Sequence, residues 1–289
     1  MHYQGTVYRP PSEANSILLQ VTTGCSHNKC TFCGMYKGQR FSIKPDSIVD
    51  ADISYAAKHF AYATRLFICD GDALIVPQQR LLAILEQIEE KLPHISRVGI
   101  YANTKALRMK TEAELAELRS HGLGIVYMGL ESGDDLTLAE MNKGADAKQM
   151  IAMGRKAKAA GLALSLTVLL GIAGPERSSV HAMETGRVLS AIDPDYVGAL
   201  SLMLEPGTAL HQQILAGDFS MPNPMVILQE LRTMIEHTHL SHGLFHANHA
   251  SNYLPIRAKL PEDKKQTLAR IDAALAGSLE LRPEYLRAL

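Results

Sequence analysis

The sequence predicts an α/β protein: a partial (β/α)6 TIM-like barrel followed by a C-terminal helical extension. Three observations carry this expectation. Short β-like runs alternate with stretches of helical periodicity from about residue 16 to about residue 216. Each strand–helix unit takes roughly 30 residues, the length of a parallel βαβ unit, and repeated right-handed crossovers curve such a sheet. Polar residues and glycines collect at the C-terminal ends of the expected strands: Thr22 to Cys25, Asp70 to Asp72, Asn103, Glu131 to Gly133 and Gly171 to Gly174. In α/β barrels that end of the strands carries the active site.

Each element has its own signal. Residues 16–21 (SILLQV) are an apolar run of strand length, and a cysteine-bearing loop follows to about residue 43. Residues 45–60 read as a helix with Pro45 near its first turn. Residues 65–69 (RLFIC) make the second strand, ended by Asp70-Gly71-Asp72. In residues 77–91, Leu81, Leu82, Leu85 and Ile88 recur at helical spacing. Residues 97–102 are the third strand. Residues 111–121 form a helix that opens on the capping-box pair Thr111 and Glu114 and stops at Gly122. Residues 124–130 are the fourth strand; 134–141 and 146–160 are helical, with Gly161 closing the second helix. Residues 163–170 are the fifth strand, 176–191 a helix and 196–202 the sixth strand. Beyond these come a helix at 225–240, a last strand at 243–247, a loop at 251–255 and a charged helix at 261–276.

This division gives an N-terminal extension (1–15), the partial barrel (16–216) and a C-terminal extension packed on it (217–289). A chain of 289 residues with 46% hydrophobic content suits one large domain. The net charge of −1 supplies no basic field, so nucleic acid is not an expected partner. No run approaches the ~20 apolar residues of a membrane span. Residues 1–16 are polar and hold Pro10-Pro11, so no secretory leader is expected. The GxGxxG fingerprint is absent, and Gly171-x-x-Gly174 lacks the Lys-Ser/Thr of a P-loop.

Three of the four cysteines, Cys25, Cys30 and Cys33, lie in one loop with the spacing C-x4-C-x2-C; the fourth is Cys69. Clustered thiols in a large chain point to metal or cluster binding in a reducing compartment, hence a cytoplasmic location, rather than to disulfides. Three thiolates can hold three irons of a [4Fe–4S] cluster and leave the fourth iron open to a substrate or cofactor. A zinc site with Cys69 or His27 as fourth ligand is the alternative, although zinc sites usually bring two CxxC-like pairs and this chain has one.

The loop resembles that of the radical S-adenosylmethionine (SAM) superfamily, whose aromatic residue before the last cysteine is matched by Phe32. The family's usual first interval is one residue shorter than the one found here. Asp70-Gly71-Asp72 is similar to the family's Gly-Gly-Glu-Pro turn, with Asp72 standing for the glutamate, and that likeness implies a place for the amino group of SAM. Gly129-Leu130-Glu131-Ser132-Gly133-Asp134, with Met141-Asn142-Lys143-Gly144, resembles the fourth-strand segment of the branch containing the anaerobic coproporphyrinogen oxidases and the methylthiotransferases. By that resemblance Glu131 and Ser132 approach the ribose or methionine end of SAM. The segment from Gly171 to Gly174 resembles the fifth-strand glycine motif that lies against adenine. The likeness runs from about residue 16 to about residue 204.

The resemblance implies an enzyme that uses a [4Fe–4S] cluster and SAM, is reduced by an external one-electron donor of flavodoxin or ferredoxin type, and forms a 5′-deoxyadenosyl radical that takes hydrogen from a substrate. With one cysteine outside the loop, a second cluster held by four cysteines is excluded. The other reading is a non-catalytic iron–sulfur module for electron transfer or sensing. Cys69 reads either as a buried small residue or as a thiol near the radical site. In the histidine-rich tail, His249, Asn252 and Tyr253 are candidate substrate contacts; the alternative is a packed closing loop. Asn103 and Thr167 either line the cavity or fill the barrel.

Overall fold

The computed structural model describes residues 1–288 of the chain. Two compact units can be distinguished. The first comprises Met1–Asn28, Met35–Met128 and Lys156–Leu164; the second comprises Lys29–Gly34, Gly129–Arg155 and Ser165–Leu289.

In the first unit, β1 (Ile17–Gln20) leads into a short antiparallel pair of β2 (Thr22–Thr23) and β3 (Ser42–Ile43). Then follow α1 (Asp46–His59), β4 (Arg65–Cys69), α2 (Gln78–Lys91), β5 (Arg97–Ala102), α3 (Thr104–Arg108), α4 (Glu112–Ser120) and most of β6 (Leu123–Glu131). β4 is a parallel strand flanked on both edges, by β1 and by β5, and its Leu66, Phe67, Ile68 and Cys69 are all buried. That explains a continuous apolar run rather than an alternating one. Each such side chain contributes about 2 kcal/mol by leaving water. Phe67, Tyr101 and Tyr127 pack edge to face across β4, β5 and β6, with Phe67 4.8 Å from Tyr101 and 5.5 Å from Tyr127. Gly99 leaves room for them: a Cβ there would lie 3.1 Å from the Phe67 ring. The β1–β4 register pairs Gln20 with Cys69, which brings the Gln20 amide to Asp70.

The second unit carries the end of β6, α5 (Asp135–Glu140), most of α6 (Ala147–Ala159) and most of β7 (Ala163–Leu170). It continues with α7 (Gly174–Ile192), β8 (Tyr196–Ser201), α8 (Ala209–Ala216), α9 (Pro224–His237), β9 (Gly243–Ala247), β10 (Ile256–Leu260) and α10 (Lys264–Leu275). β7, β8 and β9 pair in parallel, and β10 returns antiparallel to β9. The eight longer strands follow the order β1-β4-β5-β6-β7-β8-β9-β10. The fold is thus the expected mixed α/β type with a mostly parallel sheet. No helix among the described residues is long and apolar enough to cross a membrane.

The differences from expectation are local. β4, β5, β7 and β9 occupy the residues that the sequence assigns to them, and the capping box of Thr111 and Glu114 is formed. Pro45 and Pro77 stand at the N-cap, one position before their helices. α7 begins two residues earlier than its periodicity indicates. Five of the labelled elements are additional: the short strands β2 and β3 inside the expected cysteine loop, and α3, α8 and β10. α3 is set by Asn103, whose side chain accepts the Ala106 N–H at 2.8 Å. α8 is set by Thr208 at one end and by Gly217, φ 82°, at the other. β10 owes its existence to β9. The residues expected to form a C-terminal helical extension also contribute two strands, β9 and β10.

Candidate active site

In the first unit the candidate residues gather where β4 ends. Asp70 is fully buried and adopts φ 75°, a left-handed conformation that aspartate tolerates better than most side chains. Its Oδ2 accepts from Gln20 Nε2 at 2.9 Å and from the Gly24 N–H at 3.2 Å, while no donor among the described residues meets Oδ1. Burial pushes the carboxyl up to about 6, against the opposing pull of Gln20 and Gly24. The Gly71 N–H donates to the Gly24 carbonyl at 3.2 Å.

Both Asp72 oxygens are occupied. Oδ1 accepts the Ser26 N–H at 3.0 Å; Oδ2 accepts the Ser26 hydroxyl and, at 2.9 Å, Asn103 Nδ2. Burial also raises this carboxyl above the ordinary range. Asp72 therefore fastens the residue after Cys25, and Asn103 supports it while capping α3. Cys69 is fully buried beside Phe67, Ile125 and Tyr127. Burial, and next the charge of Asp70, push its thiol well above the usual range. Cys25, Cys30 and Cys33 are half-buried by contrast, and none of the four cysteines is in a disulfide.

In the second unit the segment holding Cys30 and Cys33 is fixed by backbone bonds. The Thr31 N–H donates to the Met141 carbonyl at 3.0 Å, the Thr31 carbonyl accepts the Leu210 N–H at 2.9 Å, and Asn142 Nδ2 donates to the Lys29 carbonyl at 3.2 Å. Phe32 packs against Met141, Ile172, Leu202 and Leu210. Gly34 admits the Glu205 carboxylate: a Cβ at this position would lie 1.9 Å from Glu205 Oε2. Glu131 ends β6 at φ 63°, a strained conformation for a long side chain costing about 1–2 kcal/mol. Its Oε1 accepts from Lys143 Nζ at 2.9 Å. Burial works against the Lys143 charge, but Glu131 and then Cys30 outweigh it and raise the ammonium pKa. A Cβ on Gly129 would meet both partners, at 2.1 Å from Glu131 Oε1 and 2.9 Å from Lys143 Nζ.

Ser132 is fully buried, and its hydroxyl is committed to His181 Nδ1 at 2.7 Å. Gly171, φ 83°, donates its N–H to Glu230 Oε1 at 2.6 Å. Gly174, φ 68°, begins α7. Thr167 is half-buried on β7.

The tail candidates bind their own unit. Asn252 accepts from the Ser201 hydroxyl at 2.9 Å and donates to the Ala199 carbonyl at 2.8 Å. Tyr253 donates to Glu284 at 2.5 Å under the Arg287 guanidinium, which is 4.2 Å from the ring centre. Burial, and next Glu284, push its phenol up to about 12. His249 meets Ser251 at 3.0 Å, and burial followed by the charge of Arg282 lowers its pKa. Arg282 clamps the loop through the carbonyls of His249, Ala250 and Asn252.

Sequence reasoning missed His181 and Glu230. The available signal was a glutamate inside the apolar stripe of α9, between Ile227 and Leu231. Among the described residues no group of three or more His, Cys, Asp or Glu is gathered closely enough to hold a metal ion. Within the first unit, the half-buried Cys25 thiol and the buried Asp70 oxygen without a donor are groups of the kinds that ligate iron and accept an ammonium; within the second, Cys30 and Cys33 are two further half-buried thiols.

The family model of the Radical SAM superfamily matches residues 19–183. An uncharacterized protein of Methanocaldococcus jannaschii is 24% identical over 261 residues, covering 86% of this chain and 75% of that protein. The radical S-adenosylmethionine methyltransferase TsrM from Kitasatospora setae, solved with cobalamin and a [4Fe–4S] cluster, matches with a TM-score of 0.56 at 18% identity. That match covers 70% of this chain and 39% of TsrM. Coproporphyrinogen III oxidase (HemN) from Escherichia coli, a radical SAM enzyme, matches with a TM-score of 0.56 at 16% identity, over 76% of this chain and 52% of HemN. The chain thus spans about half or less of these two solved chains, and at such identities the likeness is one of fold.

Proposed function

The chain belongs to the radical SAM superfamily and is an enzyme, and from that premise we propose that Cys25, Cys30 and Cys33 hold three irons of a [4Fe–4S] cluster whose fourth iron takes SAM. Bound there, the cluster would supply the electron, delivered by an external flavodoxin- or ferredoxin-type donor, that splits SAM into methionine and a 5′-deoxyadenosyl radical able to take hydrogen from a substrate.

The chain's own residues prepare the place. Asp72 holds Ser26, and so the backbone beside Cys25, in position. Asp70 offers its donor-less Oδ1 to the SAM ammonium, whose positive charge would stabilise the ionised carboxylate that burial alone disfavours. Phe32 anchors the cysteine segment of the second unit by packing against an apolar cluster. Glu131, held by Lys143, is assigned to the ribose or methionine end, and the Gly171 to Gly174 turn to adenine. Ser132 contributes through its backbone, because its hydroxyl is already committed to His181.

The single observation that carries this reading is Asp70, a fully buried carboxylate with one unsatisfied oxygen, at the turn where the family receives the amino group. The test is anaerobic purification and cluster reconstitution, followed by chromatography for 5′-deoxyadenosine after adding SAM and dithionite. The wild-type chain is expected to form it. Cys25→Ala, Cys30→Ala and Cys33→Ala should lose the cluster, and Cys69→Ala should keep it. A fully loaded protein that leaves SAM intact would reject the proposal in favour of an electron-transfer or sensor module.

A further inference from the structure

Ser132, His181 and Glu230 sit on three different elements of the second unit: the turn after β6, α7 and α9. Ser132 Oγ lies 2.7 Å from His181 Nδ1, and His181 Nε2 lies 3.3 Å from Glu230 Oε1, an ion-pair distance rather than an aligned hydrogen bond. The Asp134 N–H donates to Ser132 Oγ at 3.0 Å. With the Ser132 hydroxyl donating to Nδ1, the neutral imidazole carries its proton on Nε2, facing Glu230.

The three residues spell a hydrolytic triad, but their exposures are 0%, 0% and 1%, so no substrate carbonyl reaches Ser132. The constellation holds structure instead. Glu230 Oε1 accepts the Gly171 N–H at 2.6 Å, and Oε2 accepts the Ser178 hydroxyl. The Gly133 N–H donates to Thr185 Oγ1 at 2.8 Å, one turn along α7 from His181. A buried carboxylate is retained only where donors surround it, and here one donor is the backbone of the glycine turn itself.

Two glycines make the arrangement tight. A Cβ on Gly133 would lie 2.4 Å from the Glu184 carbonyl oxygen of α7. One on Gly186 would lie 2.8 Å from the Met234 carbonyl oxygen of α9. The helix α7 has no slack against either the β6 turn or α9.

We infer that His181 and Glu230 are positioning residues for SAM, tying the turn after β6 to the turn after β7 so that both strand ends meet the cofactor as one unit. This rests on the function proposed above. Neither side chain touches the cofactor; Glu230 acts through the Gly171 amide and His181 through Ser132.

The test uses the reconstituted chain and its Glu230→Gln and His181→Asn variants. Iron and sulfide content, melting temperature and the EPR spectrum of the reduced cluster are recorded first, and SAM is then titrated against that spectrum. The variants are expected to keep the cluster and its SAM-free spectrum while the SAM concentration for half-change rises about tenfold, the scale of one poorly satisfied buried group. A fully loaded variant that takes SAM as tightly as wild type would overturn the inference and leave the proposed function standing. A wild-type spectrum indifferent to SAM would overturn the proposed function itself. Hydrogen exchange of the wild-type chain needs no variant to fold. Peptides covering residues 130–134, 170–182 and 226–232 should gain protection together when SAM is added, and a 226–232 peptide that ignores SAM would also overturn the inference.

Discussion

Gly71 lies directly against Cys25: a Cβ added to the glycine would stand 2.5 Å from Cys25 Cβ and 2.9 Å from its Cα. The turn after β4 and the cysteine loop thus share a space that admits no side chain. Gly71→Ala must displace the backbone of Cys25, at about 1–3 kcal/mol for overpacking of this kind. The variant should fold with a melting temperature lowered by a few degrees, yet reconstitute less than about half the wild-type iron and sulfide. Full iron content in Gly71→Ala would show that the contact does not fix the ligand.

The four thiols should react in two classes. In the cluster-free, folded protein, iodoacetamide is expected to modify Cys25, Cys30 and Cys33, which are half-buried, and to spare Cys69. Burial hides the Cys69 sulfur and also holds it in the unreactive thiol form. Intact-protein mass spectrometry should count three additions in buffer and four in denaturant; a fourth fast addition in buffer would contradict the buried placement.

Stability of the cluster-free chain should depend on pH through Asp70. Its folded-state pKa, about 6, lies above the ordinary carboxylate value of about 3.9. A raised carboxyl favours the folded state below the unfolded value, and that contribution is lost as pH rises through about 6. Asp70→Asn should therefore melt close to wild type at pH 4 and above it at pH 7, the gap opening between those values. A gap of opposite sign by differential scanning fluorimetry would mean that the carboxylate is better satisfied than its bonds indicate.

Glu131 and Lys143 are expected to act as a pair. Both are largely buried, at 12% and 14% side-chain exposure, so removing either leaves the other charge poorly compensated. Lys143→Met and Glu131→Gln should each cost about 1–3 kcal/mol in urea unfolding, and the double variant should cost less than their sum. Simple additivity would show that the two side chains do not depend on each other.

What was legible in the sequence follows from where the signal lies. Residues 65–69 read as a strand because both edges are paired and the apolar run is local; residues 163–170 do so because the run ALSLTVLL has strand length and pairs with β8. The turns at the strand ends were legible because Asp70 and Gly171 stand directly beside those runs. His181 and Glu230 were not, because each lies inside an amphipathic helix and acquires meaning only when α7 and α9 meet. Asp72 carries a related lesson. Its residue type suggested a ligand contact, but its partners, Ser26 and Asn103, come from elements remote in sequence. The helix α8 depends on Thr208 and Gly217, and its last turns are half-exposed, so its periodicity was weak.

The last strand has a consequence for solubility. β10 alternates buried Ile256, Ala258 and Leu260 with exposed Arg257 and Lys259, and Pro255 and Pro261 bracket it. It also stands at one end of the strand order, where backbone donors and acceptors would otherwise template another chain. Two cations on the outward face and an imide at either limit discourage a neighbouring polypeptide from zipping on, so growth of the sheet into aggregates is resisted by composition.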